Sequence, residues 1–335
     1  MKSAVLAGPE TIRVVEGNIP EPRPGWVRLA VQAVGICGTD LHLFEGRLGK
    51  VDGLQPGHEV AGVIDAVSDS DLTAGTLVAL EPITACGRCF HCATGFPNRC
   101  ETHRLFGVTA RGGMAEFLTV PAACLHVLPD GVSPNVAALA EPMAVCVRGA
   151  RLGRIGVGDR VAILGAGTIG LLSIVVARAS GASEVHVAAR HPHQAALARS
   201  LGSTEVFESA AALKDGAGPD IDVVVETVGG RADTLAEAVQ VVRTGGTIAM
   251  LGVFEGDVRM PGLPFASKEL TLVGSMCYAR DGRVGDFDLA TRLVLEHQGI
   301  LAPLVTHRFK LDEVARAYAT AADKRQGSVK VQIEP

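Results

Sequence analysis

The sequence predicts an α/β chain in two parts. One is a β-rich unit finished by the end of the chain. The other is a doubly wound parallel sheet of nucleotide-binding type, inserted before that closing segment. Three observations carry this reading. Residues 1 to about 130 read as short strands broken by proline and glycine, from Asn135 to about Val273 buried-type strands alternate with helical patterns, and the tail returns to a mixture of the two. A chain of 335 residues that is 47% hydrophobic has material for two cores. The expected boundaries are 1–142 with 277–335 for the β-rich unit and 143–276 for the inserted one.

In the first part WVRLAVQAV, EVAGVIDAV and TLVAL are β-rich runs bounded by turn sequences such as EPRPG and TAG. In the second, VAIL, EVHVAA, DVVVE and TIAML are continuous apolar runs, the mark of strands covered on both faces. Between them IGLLSIVVARAS, HQAALARSL and DTLAEAVQVV carry helical periodicity. The tail offers a helix at FDLATRLVLEH, a strand at LVTHRF, a helix at DEVARAYATAA and a closing strand at SVKVQI.

Composition excludes several classes. A net charge of -5, no dense Lys/Arg run and 4% aromatic residues argue against a nucleic-acid surface. MKSAVLAGPE lacks the apolar run of a signal peptide. The uncharged stretch 161–177 is seventeen residues long and broken by glycines, short of the roughly twenty that a membrane span needs. The expectation is a cytoplasmic enzyme with reduced thiols, where clustered cysteines bind metal rather than each other.

VAILGAGTIG sets Gly165, Gly167 and Gly170 in G-x-G-x-x-G after a strand and at a helix start, the context a dinucleotide site requires. The first glycine permits the tight turn, the second a close approach of backbone to pyrophosphate, the third close helix–strand packing. The free N–H groups of the helix start, at Thr168 and Ile169, then face the phosphates. The alternative is a glycine turn that binds nothing. An NAD site has an acid about twenty residues on; nineteen residues after Gly170 stands Ala189, followed by Arg190. Without the acid a 2′-phosphate is not repelled, and Arg190 can hold it, so NADP is expected over NAD. Against that, Arg190 as an ordinary surface residue would leave NAD acceptable. Val228, after Glu226, and Leu251 and Gly252 fall at the next two strand ends, near the cofactor.

CGRCFHCATGFPNRC spaces Cys86, Cys89, Cys92 and Cys100 as C-x2-C-x2-C-x7-C. Four thiolates in one short lobe, 86–100, close a tetrahedral zinc shell with no open position, so this metal is structural. Chemistry needs a second, open site. ICGTDLHLFEG supplies Cys37, Thr39, Asp40 and His42; PGHEVAG supplies His58 and Glu59; LAEPMAV supplies Glu141. Sulfur, nitrogen and oxygen donors from three segments leave a zinc position free for water or an alcohol. Singly, Cys37 reads as a core cysteine, His58-Glu59 as solvated and Glu141 as a helix-flanking acid. Cys124, Cys146 and Cys277 are read as packing thiols.

With CGTDLH, PGHEVAG, the four-cysteine lobe, AEPMAV and GAGTIG in this order, the whole chain resembles the zinc-dependent medium-chain dehydrogenases of the alcohol and polyol type. The Glu141-Pro142 pair is similar to the sorbitol, threonine and butanediol dehydrogenase branches. The resemblance implies a GroES-like β domain completed by the C-terminal segment, a Rossmann domain between, and an active site in the cleft. It implies a catalytic zinc on Cys37, His58 and Glu141, with Glu59 as an alternating ligand. It also implies proton relay by Thr39 and His42, and orientation of the ligand histidine by Asp40. The expected activity is hydride transfer between NADP(H) and a secondary alcohol, diol or polyol, with two zincs per chain and a homodimer or homotetramer as the assembly. Rival readings are a zinc-free reductase on the same fold, a reductase of C=N or activated C=C bonds, and a non-catalytic NADP sensor. Ala189-Arg190 departs from the NAD-dependent pattern.

Overall fold

The alternating run from Trp26 decides the first sheet. Its side chains are buried at every second position from Val27 to Val31, as a strand with one face on a core requires. A computed structural model describes residues 1–49, 52–280 and 284–335. The chain divides into two units: Met1–Glu141 with Ala279–Pro335, and Pro142–Tyr278.

In the first unit a seven-stranded sheet runs Val305–Lys310, Lys330–Glu334, Trp26–Gly35, Glu59–Ser68, Leu77–Leu80, Leu125–Val127, and Phe117–Pro121 also pairs with Trp26–Gly35. The closing strand pairs antiparallel with the first long one, Ile333 beside Val34 and Gln332 beside Gly35. Val27, Leu29, Val31, Ile64, Val78, Leu80, Val331 and Ile333 form its core with Tyr318 from helix Val314–Ala322. Each such apolar side chain contributes about 1.5–3 kcal/mol by leaving water. The sequence pattern did not mark helix Gly38–Phe44 or the hairpin of Lys2–Leu6 with Ile12–Glu16.

The second unit is a six-stranded parallel sheet in the order Glu205–Phe207, Glu184–Ala188, Arg160–Leu164, Ile221–Glu226, Val242–Met250, Thr271–Gly274. The long uncharged stretch resolves into strand Arg160–Leu164, the glycine turn and helix Thr168–Ala179, in which Gly170 to Ala177 are all buried. Among the described residues no helix is long and apolar enough to cross a membrane. One boundary differs from the pattern: the helix in DTLAEAVQVV spans Thr234–Val241, and Val242 already pairs with Ile221. Strand pairing of a β-branched residue outweighs its place in the helical period.

An ionic cluster around the buried Glu81 braces the first unit across 199 residues of sequence. The Glu81 side chain is 3% exposed and accepts hydrogen bonds from Arg280 Nη2 at 2.7 Å and Nε at 3.2 Å. His126 Nε2 lies 2.9 Å from Glu81, and its Nδ1 lies 3.2 Å from Asp288. Burial pushes the Glu81 carboxyl up, but His126 and Arg280 outweigh it and hold it below its ordinary value. A lowered folded-state pKa stabilises above the unfolded value of 4.5 and is lost as pH falls through the folded value. Glu81→Gln is therefore expected to cost about 2 kcal/mol at neutral pH. In urea titrations the gap between variant and wild type should close as the pH is taken well below 4.5.

Candidate active site

Adjacent strands of the first unit bring one donor set together. Trp26–Gly35 lies between the Lys330 strand and Glu59–Ser68, with Glu59 opposite Gly35. Past Gly35 the chain reaches Cys37, which caps helix Gly38–Phe44. The turn before His58 uses Gly57 at φ +95°, where a Cβ would also press on Val34 and Met114. One ligand atom each of Cys37, His58 and Glu59 then lie within 4.8 Å of one another. His58 and Glu59 are 4% and 1% exposed; Cys37 is half-buried.

Asp40 is fully buried beneath this trio. It accepts the Cys37 backbone N–H at 2.9 Å and the Gly57 N–H at 3.3 Å, and its Oδ1 stands 3.8 Å from His58 Nδ1. Burial opposes an imidazolium at His58, but Asp40, the Cys37 thiol and Glu141 outweigh it and hold His58 well above its ordinary value. Glu141, 6% exposed in the first turn of helix Ala140–Gly153, joins this field without belonging to the tight trio. Thr39 and His42 are half-buried on the helix after Cys37, three residues apart and so on one face.

The donor chemistry fits a divalent metal. Oε1 of Glu59 accepts from Lys330 Nζ at 2.6 Å, while Oε2 of Glu59 and Nδ1 of His58 are buried without a hydrogen bond. Each such atom costs about 1–3 kcal/mol unless something else satisfies it. Thiol, imidazole and carboxylate together suit zinc.

The four-cysteine lobe is a second donor set, with all four sulfurs within 4.8 Å of one another and none in a disulfide. Cys86 and Cys92 are 3.9 Å apart, Cys89 and Cys92 3.5 Å. Tetrahedral zinc, at about 2.3 Å from each sulfur, separates its ligands by about 3.8 Å. Backbone donation from Cys86 and the Thr102 hydroxyl bring the Cys100 thiol down to about 6, whereas desolvation and the Cys89 thiol push Cys92 up to about 12. His91 stands outside the sulfur set.

In the second unit the glycine turn follows strand Arg160–Leu164. Gly165 takes φ +99°, Gly167 caps helix Thr168–Ala179, and a Cβ on Gly170 would overlap Gly165 O. The first helical turn, Thr168 and Ile169, thus opens on the glycine turn. Arg160–Leu164 pairs with Glu184–Ala188, and Gly165 N–H donates to Ala188 O at 3.2 Å. Arg190, exposed just past that second strand, therefore sits beside the glycine turn. Val228 is 46% exposed; Leu251 and Gly252 both donate their N–H to Glu226 O. Cys124 and Cys146 are buried, their thiols directed to Ile83 O and Ile169 O.

A GroES-like unit with a thiol–imidazole–carboxylate pocket, joined to a parallel sheet with a dinucleotide turn, defines the class of zinc-dependent dehydrogenases. Residues 23–130 match the alcohol dehydrogenase GroES-like domain and residues 168–296 the zinc-binding dehydrogenase domain. The chain is 32% identical over 334 residues to L-galactonate-5-dehydrogenase of Escherichia coli (strain K12), covering 95% of this chain and 94% of that one. Among solved structures it superposes on galactitol-1-phosphate dehydrogenase from Escherichia coli with TM-score 0.91, 31% identity and full coverage of both chains. A zinc-binding dehydrogenase from Sinorhizobium meliloti 1021 bound to NADP matches with TM-score 0.90 and 31% identity, over 100% of this chain and 99% of that one. The chain belongs to the zinc-dependent medium-chain dehydrogenase family, and it is an oxidoreductase.

Lys330 escaped the sequence reading, and Glu226 was read there only as a strand-end residue without a specific role. Lys330, 2% exposed, holds Glu59; its signal was a lysine in the middle of the apolar strand SVKVQI, where a charge demands a buried partner. Glu226, 0% exposed, fastens the loop after its strand. Its Oε1 accepts from Val228 N–H at 2.8 Å, Gly229 N–H at 3.0 Å and the Thr234 hydroxyl at 2.7 Å. Gly170→Ala, which drives a methyl into a backbone carbonyl, is expected to cost about 1–3 kcal/mol. It should also weaken cofactor binding; urea unfolding and fluorescence titration with the dinucleotide check the two effects.

Proposed function

We propose that this chain oxidises a secondary hydroxyl of a polyol or sugar-derived substrate to the ketone, reversibly, and prefers NADP to NAD. The buried convergence of Cys37, His58 and Glu59 is the observation that carries the reading. In it Cys37, His58 and Glu141 hold the catalytic zinc with Glu59 as an alternating ligand, and Cys86, Cys89, Cys92 and Cys100 hold a second, structural one. The named substrates of two relatives, galactonate and galactitol 1-phosphate, are both polyhydroxylated and support this substrate class. Bound zinc supplies Lewis acidity toward the substrate oxygen and the nicotinamide a hydride acceptor.

The chain's own residues do the rest. Asp40 fixes the Cys37 backbone and faces His58, so the pocket keeps its shape before substrate arrives. The Thr39 hydroxyl accepts the substrate's proton as it releases its own into the relay, and His42, one turn further along, passes a proton on towards solvent. Thr168 and Ile169 present N–H groups to the pyrophosphate, and Val228, Leu251 and Gly252 border the dinucleotide. Arg190 stands where an acid would select NAD and makes no ion pair with a described residue, which leaves its guanidinium for a 2′-phosphate.

Initial rates with NADP and NAD over secondary alcohols, vicinal diols, polyols and sugar acids test the reading. His58→Ala is expected to lower kcat/KM at least about 1,000-fold. Thr39→Val should lower it about 100-fold with metal content unchanged. A near wild-type rate in His58→Ala would overturn the site. Arg190→Ala should lower kcat/KM for NADP roughly 10- to 100-fold and leave NAD unaffected; equal losses with both cofactors would remove Arg190 from the preference.

A further inference from the structure

We propose that Lys324 is a substrate-binding residue: its ammonium, set beside the metal pocket of the first unit, takes a carboxylate or phosphate of the polyol. The substrate class is then an anionic polyol, a sugar acid or a sugar-alcohol phosphate. The inference rests on the reading of that pocket as the site of polyol oxidation.

Lys324 opens the short turn Lys324–Gln326, between helix Val314–Ala322 and strand Lys330–Glu334. Both neighbours pack on the segment that carries Cys37. Phe44, at the end of helix Gly38–Phe44, meets Tyr318 of the first neighbour with ring centroids 5.0 Å apart. The closing strand sets Gln332 beside Gly35, and Val331 O then accepts the Ile36 N–H at 2.9 Å. Because the pairing is antiparallel, following the closing strand back from Val331 follows the other chain forward from Ile36 to Cys37. The turn is tied in place. Gly327 takes φ +78° and its N–H donates to Lys324 O at 3.2 Å. Ser328 Oγ donates to Asp323 O at 3.4 Å, and Val329 N–H to Thr306 Oγ1 at 3.0 Å.

A cation withdrawn from water normally has a countercharge. The acid that caps this turn is Asp323, and Arg325 takes both its oxygens, at 2.8 and 3.1 Å. Lys324 is half-buried, yet its Nζ makes no hydrogen bond or ion pair with a described residue. Lys330 gives its own charge to Glu59 at 2.6 Å, so the donor set has a countercharge without Lys324. Desolvation and the nearby Lys330 ammonium bring Lys324 down to about 8, with the Cys37 thiol opposing them. An oxyanion arriving with the substrate offsets the repulsion between the two lysines and satisfies an ammonium already partly stripped of water. A neutral polyol leaves that ammonium bare. A site built around a polar partner rejects the analogue that lacks it, so the lysine selects for charge as well as binding it.

The test reads Lys324 directly in the zinc-loaded wild-type enzyme, by mass spectrometry of its acetylation with acetic anhydride. Labelling is compared in the free enzyme and with galactitol, galactonate, galactitol 1-phosphate or NADP. Galactonate or galactitol 1-phosphate should slow labelling at least about tenfold, as a charge-assisted hydrogen bond to the ammonium would. Which of the two protects assigns carboxylate or phosphate. Galactitol should leave the rate within about twofold of the free enzyme. Protection by neither anion would overturn the proposal, and so would equal protection by galactitol. Protection by NADP alone would give the ammonium to the cofactor and refute it too. Steady-state rates supply the second arm. Lys324→Met should lower the ratio of kcat/KM for the protecting anion to kcat/KM for galactitol at least about tenfold, mainly through KM, and Lys324→Arg should largely keep it. Equal losses on both substrates would remove Lys324 from recognition. Should Lys324→Met not fold, labelling of the wild type decides alone. Failure of the polyol reading is distinct: the wild type would then oxidise none of these polyols, whatever the labelling shows.

Discussion

The pairing of the C-terminal strand with the first long strand is the constraint on which the first unit depends. Ile333 beside Val34 and Gln332 beside Gly35 close the sheet across about three hundred residues. That contact sets Lys330 next to the end of the Cys37 strand, and Glu59 meets the same strand from its other side. Loop-closure entropy grows only slowly with length, so a separation this long costs little more than a shorter one. The gain is geometric: donors distant in sequence become neighbours because three strands are neighbours. The pocket is a consequence of sheet order, and its precision is that of strand pairing rather than of a loop.

What was legible in the sequence follows from locality. The four cysteines are within one short lobe, and the glycine turn is within one strand–turn–helix unit, so spacing alone reports which atoms meet. Cys37, His58 and Glu59 were visible as residue types in two separate motifs, but their meeting depended on the sheet. Lys330–Glu59 and Glu81–Arg280 were not legible as pairs, because nothing local marks which lysine or arginine a buried acid will find 271 or 199 residues away. Glu59 was read as a ligand or a solvated acid. The structure gives it a third condition: buried, with one oxygen held by an ammonium and the other unbonded.

The two donor sets differ in how far they depend on the fold. The sulfurs of residues 86–100 need only the helix Phe90–Ala93 and the turn Pro97–Arg99 to approach one another. Four like donors close a tetrahedral shell around any metal they hold, with no place for a substrate. The other set draws sulfur, nitrogen and oxygen from separate segments and holds them in a buried pocket. Mixed donors around an open position are what Lewis-acid chemistry requires, and burial strengthens every charge interaction there.

The same burial creates a difficulty that the rest of the unit must solve. Anionic donors packed together in a buried pocket repel one another unless countercharges stand beside them. A fold can prevent this by removing the extra carboxylate or by giving it another partner. This chain keeps Glu59 and supplies Lys330, at the expense of burying an ammonium. Glycine at position 35 makes the arrangement possible, since any side chain there would displace Oε2. The donor set thus rests on an ion pair that spans the strand leading to the thiol, with one partner on each neighbouring strand.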